Sequence, residues 1–409
     1  MHGRQQLLVL GTGFGAFNLL KHLRQDYDVT VISPRNHFLF TPLLPSTAVG
    51  TLEFRSIIEP IRSAKKGIRF FHASAESLDI DTKCVHCTGV TDGRAFVTQY
   101  DLLVMAVGST PNTYGIPGVS KHALFLKDLR DASVLRHGII RNFERASLPG
   151  LPVNERRRLL HFVVCGGGPT GIEFAAELND FLLDDIQELY PHLTAEVEIT
   201  VVEAGNEILS TFDEKLRRYA AETFRRRRIR ILTKSPVVRV DEASVTLSDL
   251  SRIPYGILVW AAGNASVPFI RDIPLEKDRQ GRLIVDSFFR VRNSDHVFAI
   301  GDCSVVEGTP LPATAQVAQQ QGKYLAQCLN ARVRGGKIKP FAYKHLGMLA
   351  YIGNNRALAD LETFKGRGWT TWVFWRSTYL SRIVSLRNKF SVLTDWIRAR
   401  IFGRDTSQF

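Results

Sequence analysis

Two stretches of the chain repeat one pattern of apolar and polar positions. The first starts with the apolar run Leu7-Leu8-Val9-Leu10 and passes through Gly11-Thr12-Gly13-Phe14-Gly15-Ala16. It continues with helically spaced apolar residues in FNLLKHLRQ and ends in Val29-Thr30-Val31-Ile32. The second starts with Phe162-Val163-Val164-Cys165 and passes through Gly166-Gly167-Gly168-Pro169-Thr170-Gly171. Helical spacing then runs from Glu173 to Leu189, and Val197 to Val202 is the next apolar run. Short apolar runs bounded by glycine read as buried strands, and spacing near 3.6 reads as a helix. Each stretch is therefore a strand, a glycine loop, a helix and a second strand. Two such units predict an α/β chain with two Rossmann-like dinucleotide-binding domains. Three more apolar runs end in small residues: Leu102 to Ala106 before Val107-Gly108, Ile257 to Trp260 before Ala261-Ala262-Gly263, and Val297 to Ile300 before Gly301-Asp302. The turn-rich Leu148-Pro149-Gly150-Leu151-Pro152 reads as a surface segment between domains.

The glycine loops carry a specific chemistry. The first glycine permits the tight turn, the second lets the backbone approach a pyrophosphate, and the third position allows close helix packing. The helix N-terminus then presents unpaired N–H groups to an anion. These positions are Gly11, Gly13 and Ala16 in the first loop and Gly166, Gly168 and Gly171 in the second. After the second unit, Val201-Val202 leads into Glu203, a carboxylate suited to a ribose 2′-hydroxyl and repelling a 2′-phosphate. That favours NAD over NADP. After the first unit the matching place holds Ser33-Pro34-Arg35, with no acid. A flavin nucleotide tolerates that loss, and Asp302 is the candidate to bond its sugar or ribityl hydroxyls.

Composition narrows the class. A formal charge of +13 and a pI near 9.7 favour an anionic partner such as a phospholipid surface, a nucleotide or a nucleic acid. No apolar stretch reaches the roughly 18 residues that span a bilayer, which argues against a pump with its own transmembrane channel. Met1-His2-Gly3-Arg4 leads straight into a strand, so no signal or transit peptide is expected within the sequence as it stands, with prior removal of one left open. Cys84-Val85-His86-Cys87 has CxxC spacing. Without a second CxxC or CxxH it reads as two residues on one face of a strand, not a metal or redox site. The Arg225 to Arg228 run reads as a solvated helix end. From residue 369 to 404, Trp, Phe, Tyr and Leu interleave with Arg and Lys. The segment Ser391 to Phe402 places Leu393, Trp396, Ile397 and Ile401 near one face, as suits an amphipathic helix at a membrane interface.

Taken together, the motifs resemble the type II, non-proton-pumping NADH:quinone oxidoreductase family, and its mitochondrial branch in particular. The likeness rests on GTGFGA, on Ser33-Pro34-Arg35-Asn36-His37-Phe38-Leu39-Phe40-Thr41-Pro42-Leu43-Leu44-Pro45, and on Ser56-Ile57-Ile58-Glu59-Pro60-Ile61. It continues through GGGPTGIEFAAEL, AIGDC, Ala315-Gln316-Val317-Ala318-Gln319-Gln320 and Tyr343-Lys344-His345. The resemblance implies FAD, bound non-covalently by Gly11, Gly13, Phe14, Gly15, Ala16, Ser33, Arg35, Thr41, Pro42, Gly108, Asp302 and Gln316. It implies NADH as substrate, held by Gly166, Gly168, Pro169, Thr170, Gly171, Glu173, Glu203, Ala262 and Gly263. Glu173, Gln316 and Gln320 take the catalytic roles: Glu173 lines the nicotinamide side, and the two amides, at i and i+4 on one helix face, hydrogen-bond the carbonyls of a quinone acceptor. A first-turn carboxylate favoured by the helix dipole is a structural role for Glu173 that is compatible with this.

The same resemblance divides the chain into an FAD-binding domain (1–120 and 285–340), an NADH-binding domain (121–284) and a C-terminal region for membrane anchoring and dimerisation (341–409). It implies a homodimer, a peripheral place on the mitochondrial inner membrane or the cytoplasmic face of a bacterial plasma membrane, no nucleic-acid partner and no metal. Three departures bear on function. Leu346 stands where bacterial members often carry a lysine, Ala261-Ala262-Gly263 replaces Ala-Thr-Gly, and no EF-hand insertion is present. The alternatives are an NADH-dependent flavoprotein reductase of another acceptor, and an assembly subunit with reduced catalysis. A disulfide reductase is weaker, because the helix after Ala16 carries no cysteine pair.

Overall fold

The structure is a computed structural model and describes residues 4–407. The chain forms two compact units. One holds the chain through Leu39, Ile58–Thr110 and Asn264–His345; the other holds Phe40–Ile57, Pro111–Gly263 and the chain from Leu346. Compactness thus cuts the chain at other places than the division by ligand, and it groups the C-terminal segment with the second glycine loop.

In the first unit the first glycine loop sits on a seven-stranded sheet. Its order is Val297–Ala299, Leu102–Met105, Gln5–Leu10, Tyr27–Ser33, Arg69–Asp79, Cys84–Gly89 and Ala95–Gln99. The first five strands are parallel and the last two antiparallel. Leu7, Leu8, Val9 and Leu10 are all at most 1% exposed, as a central strand covered on both faces requires. The helix Phe14–His22 packs on the long helix Ala315–Arg334. The approach is tight: a Cβ on Gly322 would lie 2.1 Å from the Gly15 carbonyl oxygen, so glycine is required there.

The strand carrying CxxC corrects one expectation. A spacing of three sends side chains to opposite faces of a strand, because the strand period is two. Cys87 is buried on the side of Val85, whereas Cys84 shares the side of exposed His86. Burial pushes the Cys87 thiol up to about 11, and all five cysteines are free.

In the second unit a five-stranded sheet runs Leu124–Phe125, Ile257–Trp260, His161–Cys165, Glu198–Val202 and Ile229–Leu232, parallel throughout. The second glycine loop follows its central strand. The helix Pro169–Phe181 continues through a π-helical turn, Leu182–Ile186, into Gln187–Leu189. Two three-stranded antiparallel sheets complete the unit: Val237–Val240, Ser244–Leu247, Arg252–Pro254, and Met348–Tyr351, Ala357–Asp360, Lys365–Gly368.

The chain then ends in two helices, Trp369–Arg382 and Leu386–Phe402. Their tryptophans divide between core and surface. Trp375 and Trp396 are buried, and the Arg376 guanidinium lies 4.2 Å from the Trp372 ring centroid and 4.5 Å from that of Trp396. Trp396 therefore does not share the outward face with Leu393, Ile397 and Ile401. Those three are exposed, as are Leu386, Phe390 and Phe402. Among the described residues, no helix is long and apolar enough to cross a membrane.

The arginine run is also more structured than a solvated helix end. Arg225, Arg226 and Arg228 are exposed, but Arg227 turns inward. Its Nε donates to Asn179 Oδ1 at 2.7 Å, and its guanidinium pairs with Asp180.

Candidate active site: two glycine loops and a buried carboxylate helix

At the first loop, Gly13 caps the helix Phe14–His22 in extended conformation. No side chain caps it, and the first turn carries no acid. The leading N–H groups are thus left for an outside acceptor. A Cβ on Gly13 or on Gly108 would meet nothing within 4 Å, so approach to the backbone is open at both places. Thr12 fixes the loop to the next strand end. Its Oγ1 lies 3.1 Å and 3.0 Å from the Arg35 and His37 carbonyls and 3.3 Å from Ser33 Oγ. The Arg35 N–H donates to Ser33 Oγ at 3.2 Å. Phe14 turns its ring edge-on to Phe38, at 4.9 Å between centroids. Gly15 and Ala16 are buried in the helix packing.

Asp302 stands on a single turn, Gly301–Cys303, after the sheet strand Val297–Ala299. Its Oδ2 accepts from Ser109 Oγ at 2.7 Å, and the Gly301 N–H donates to Gln321 Oε1 at 2.6 Å. A concavity here is lined by Gly301, Asp302, Thr314, Val317, Ala318 and Gln321. Thr314 caps the long helix, its Oγ1 accepting from the Val317 N–H at 3.4 Å. Gln316 and Gln320 occupy one half-buried face of that helix. Both amide atoms of Gln320 bind the Lys344 backbone, with Nε2 donating to the carbonyl at 2.8 Å and Oε1 accepting from the N–H at 3.0 Å. Gln320 thus braces residue 344. Gln321 is the glutamine that points inward. The buried positions 317, 318, 321 and 322 repeat at helical spacing, and that signal was present in the sequence.

Thr41 and Pro42 open the short helical turn Thr41–Leu43, both half-buried. They belong to the second unit, not to the one that holds Gly11.

At the second loop, Gly168 caps the helix Pro169–Phe181, again with no side-chain cap and no acid in the first turn. A Cβ on Gly168 would meet nothing within 4 Å, whereas one on Gly171 would lie 2.0 Å from the Gly166 carbonyl oxygen. Pro169 and Thr170 are exposed at the helix start. Glu203 clamps the loop: Oε2 accepts from the Gly167 N–H and Oε1 from the Gly205 N–H, each at 2.6 Å. Ala262 and Gly263 follow the strand Ile257–Trp260, next to the central strand.

The helix after the second loop carries three acids on one face, Glu173, Glu177 and Asp180, buried at 6%, 5% and 5% exposure. Glu173 lies beyond the first turn, so the helix dipole does not account for it. Burial instead pushes its carboxyl up to about 8; the neighbouring Glu177 adds to the rise and the Tyr351 N–H opposes it. That N–H donates to Glu173 Oε1 at 3.0 Å. Glu177 accepts from Ser46 Oγ at 2.6 Å and Thr51 Oγ1 at 3.0 Å, and burial raises it against the pull of Arg404. Tyr351 Oη donates to Asp180 Oδ2 at 2.6 Å. Arg404, near the C-terminus, donates from its backbone to Asp185 at 2.7 Å, pairs with the same carboxylate, and reaches Thr51 Oγ1 at 3.0 Å. Sequence reasoning missed Glu177, Tyr351 and Arg404. Their sequence separation left no local signal. Among the described residues, no group of three or more His, Cys, Asp or Glu could hold a metal ion.

Comparison with known proteins agrees with this geometry. The family profile described as pyridine nucleotide-disulphide oxidoreductase matches residues 5–322, and the profile described as NDH2 C-terminal domain matches residues 345–405. A probable NADH dehydrogenase of Dictyostelium discoideum is 46% identical over 412 residues, covering 99% of this chain and 91% of the relative. The internal alternative NAD(P)H-ubiquinone oxidoreductase A1 of Arabidopsis thaliana mitochondria is 42% identical, covering 99% of this chain and 86% of the relative. The solved structure of NDH2 from Plasmodium falciparum in complex with NADH has a TM-score of 0.95 at 28% identity, covering 99% of this chain and 100% of the other. A sulfide:quinone oxidoreductase from Aquifex aeolicus shares the fold at 17% identity, with a TM-score of 0.73 over 98% and 96% of the two chains. With these matches spanning nearly its whole length, the chain belongs to the type II NADH dehydrogenase (NDH2) family of the pyridine nucleotide-disulphide oxidoreductases.

Proposed function

We propose that the protein oxidises NADH and reduces ubiquinone through bound FAD, as a peripheral-membrane enzyme that moves no protons across the membrane. The observation that carries this is the pair of uncapped, open glycine-loop helices, only one followed by a clamped carboxylate, Glu203. The family's flavin fits the first loop: a Cβ on Gly13 or Gly108 would project into open space, and the helix N-terminus carries no cap of its own. When bound, FAD supplies a two-electron carrier between nicotinamide and quinone.

The chain's own residues bind and orient. We assign FAD to Gly11, Gly13, Phe14, Gly15, Ala16, Ser33, Arg35, Thr41, Pro42, Gly108, Asp302 and Gln316. We assign NADH to Gly166, Gly168, Pro169, Thr170, Gly171, Glu173, Glu203, Ala262 and Gly263. The backbone N–H groups of each helix start hold a pyrophosphate, and Glu203 repels the 2′-phosphate of NADPH. Because burial raises Glu173 to about 8, its carboxyl is largely protonated at neutral pH. The neutral carboxyl, with Oε1 accepting from the Tyr351 N–H, is the proton-bearing group we place beside the nicotinamide half. Gln316 faces the quinone, and Gln320 acts through the Lys344 backbone that it braces.

We further propose that the helices Trp369–Arg382 and Leu386–Phe402 bind the lipid surface and support a homodimer on the mitochondrial inner membrane. The support is the run of exposed Leu386, Phe390, Leu393, Ile397, Ile401 and Phe402 beside basic residues. The function is tested in vesicles that contain ubiquinone, the purified protein and an internal pH dye. NADH oxidation that depends on quinone, with no acidification, is expected. Quinone-independent turnover or a proton gradient would refute the proposal.

A further inference from the structure

We propose that Tyr114 is a dinucleotide-binding residue whose exposed ring covers the nicotinamide half of NADH; this rests on the NADH reading of the second loop. Three observations converge. First, Tyr114 has φ +52, in the left-handed region that a bulky residue rarely adopts. Second, the surroundings hold it there. Its N–H donates to Asn112 Oδ1 at 2.8 Å, and the Trp260 indole N–H donates to the Asn112 carbonyl at 2.8 Å, tying the turn to the sheet. Third, the side chain so held is not buried. Tyr114 is 61% exposed, yet its hydroxyl lies over Gly263, where a Cβ would be only 2.2 Å from Oη. Held in this way and 61% exposed, the ring leaves a surface beside Gly263 that a ligand can use.

Strand order identifies which part of the ligand. In the sheet the strands Glu198–Val202, His161–Cys165 and Ile257–Trp260 are successive neighbours. Glu203 at the end of the first takes the adenosine ribose, and the glycine loop after the second takes the pyrophosphate. Continuing in the same direction, the nicotinamide half reaches the end of the third strand, at Ala262-Gly263. That is where the Tyr114 ring lies. A planar pyridine can stack on the phenol face, and the hydroxyl can donate to a polar atom of the nicotinamide half.

The test uses the whole protein and two probes, NADH and ADP, the latter lacking the nicotinamide half. Quinone-dependent oxidation of NADH by the wild type first decides whether the loop binds NADH at all. Tyr114→Ala is then expected to raise KM for NADH about tenfold. The inhibition constant of ADP, the KM for quinone and the content of bound flavin should stay unchanged. Tyr114→Phe separates the ring from the hydroxyl and should keep most of the affinity. An unchanged KM for NADH in Tyr114→Ala overturns the proposal. So does an equal loss of ADP binding, since that is the mark of general damage to the site.

Discussion

Glu173 is a buried carboxyl on the helix that follows the second glycine loop. It sits at 6% exposure, the Tyr351 N–H and the Trp375 side chain both favour its charged form, and burial outweighs them. The folded state therefore favours its neutral form. A carboxyl raised from 4.5 to about 8 helps the fold at low pH and loses that help as pH climbs through this window. Glu173→Gln keeps the shape without the charge. Relative to that variant, the wild type should lose up to about 5 kcal/mol between the two ends of the window. Urea unfolding of both proteins across pH checks this; parallel pH profiles would show that Glu173 ionises freely. Glu203 shows a second lesson at this scale. Its two oxygens hold the glycine loop through Gly167 and Gly205, so the group we propose for the ribose also shapes the loop.

Among elements, the glycine-loop helices were legible because their signals are local. Small residues at fixed offsets and apolar runs before them predicted both helices and their flanking strands within a few residues. What was not legible depends on partners distant in sequence. Gln320 and Gln321 look alike in sequence, yet one braces Lys344 and the other holds the Gly301 turn. Trp396 has the composition of a membrane anchor but packs on Arg376, while Leu393 beside it stays exposed. The C-terminal segment likewise does more than present a surface. Arg404 reaches back to Asp185 and Thr51, beside buried Glu177. Removing one member of such a buried pair leaves a charge stranded, at a cost of about 3–5 kcal/mol. Arg404→Ala should lower unfolding stability by that amount, measured in urea, and Asp185→Asn in the same chain should recover part of it. An Arg404→Ala protein as stable as the wild type would mean the pairing contributes nothing.

For the whole molecule, this coupling decides how the membrane contact must be tested. Deleting the tail would disrupt the carboxylate helix as well as any lipid surface. Replacing exposed Leu386, Phe390, Ile397, Ile401 and Phe402 by Ser leaves the buried face untouched. That variant should stop floating with phospholipid vesicles while keeping its flavin and its oxidation of NADH with a water-soluble quinone; continued flotation would place the lipid contact elsewhere. The basic balance of the chain, +13, points the same way, since it favours anionic lipid. The division into two units, each with one open glycine loop, is what the central claim rests on: electrons enter from NADH and leave to quinone. Anaerobic rapid mixing tests it most directly. The purified yellow protein should bleach when mixed with NADH and regain its colour when a soluble quinone is added. Protein that carries no flavin, or that stays bleached in the presence of quinone, would contradict the account.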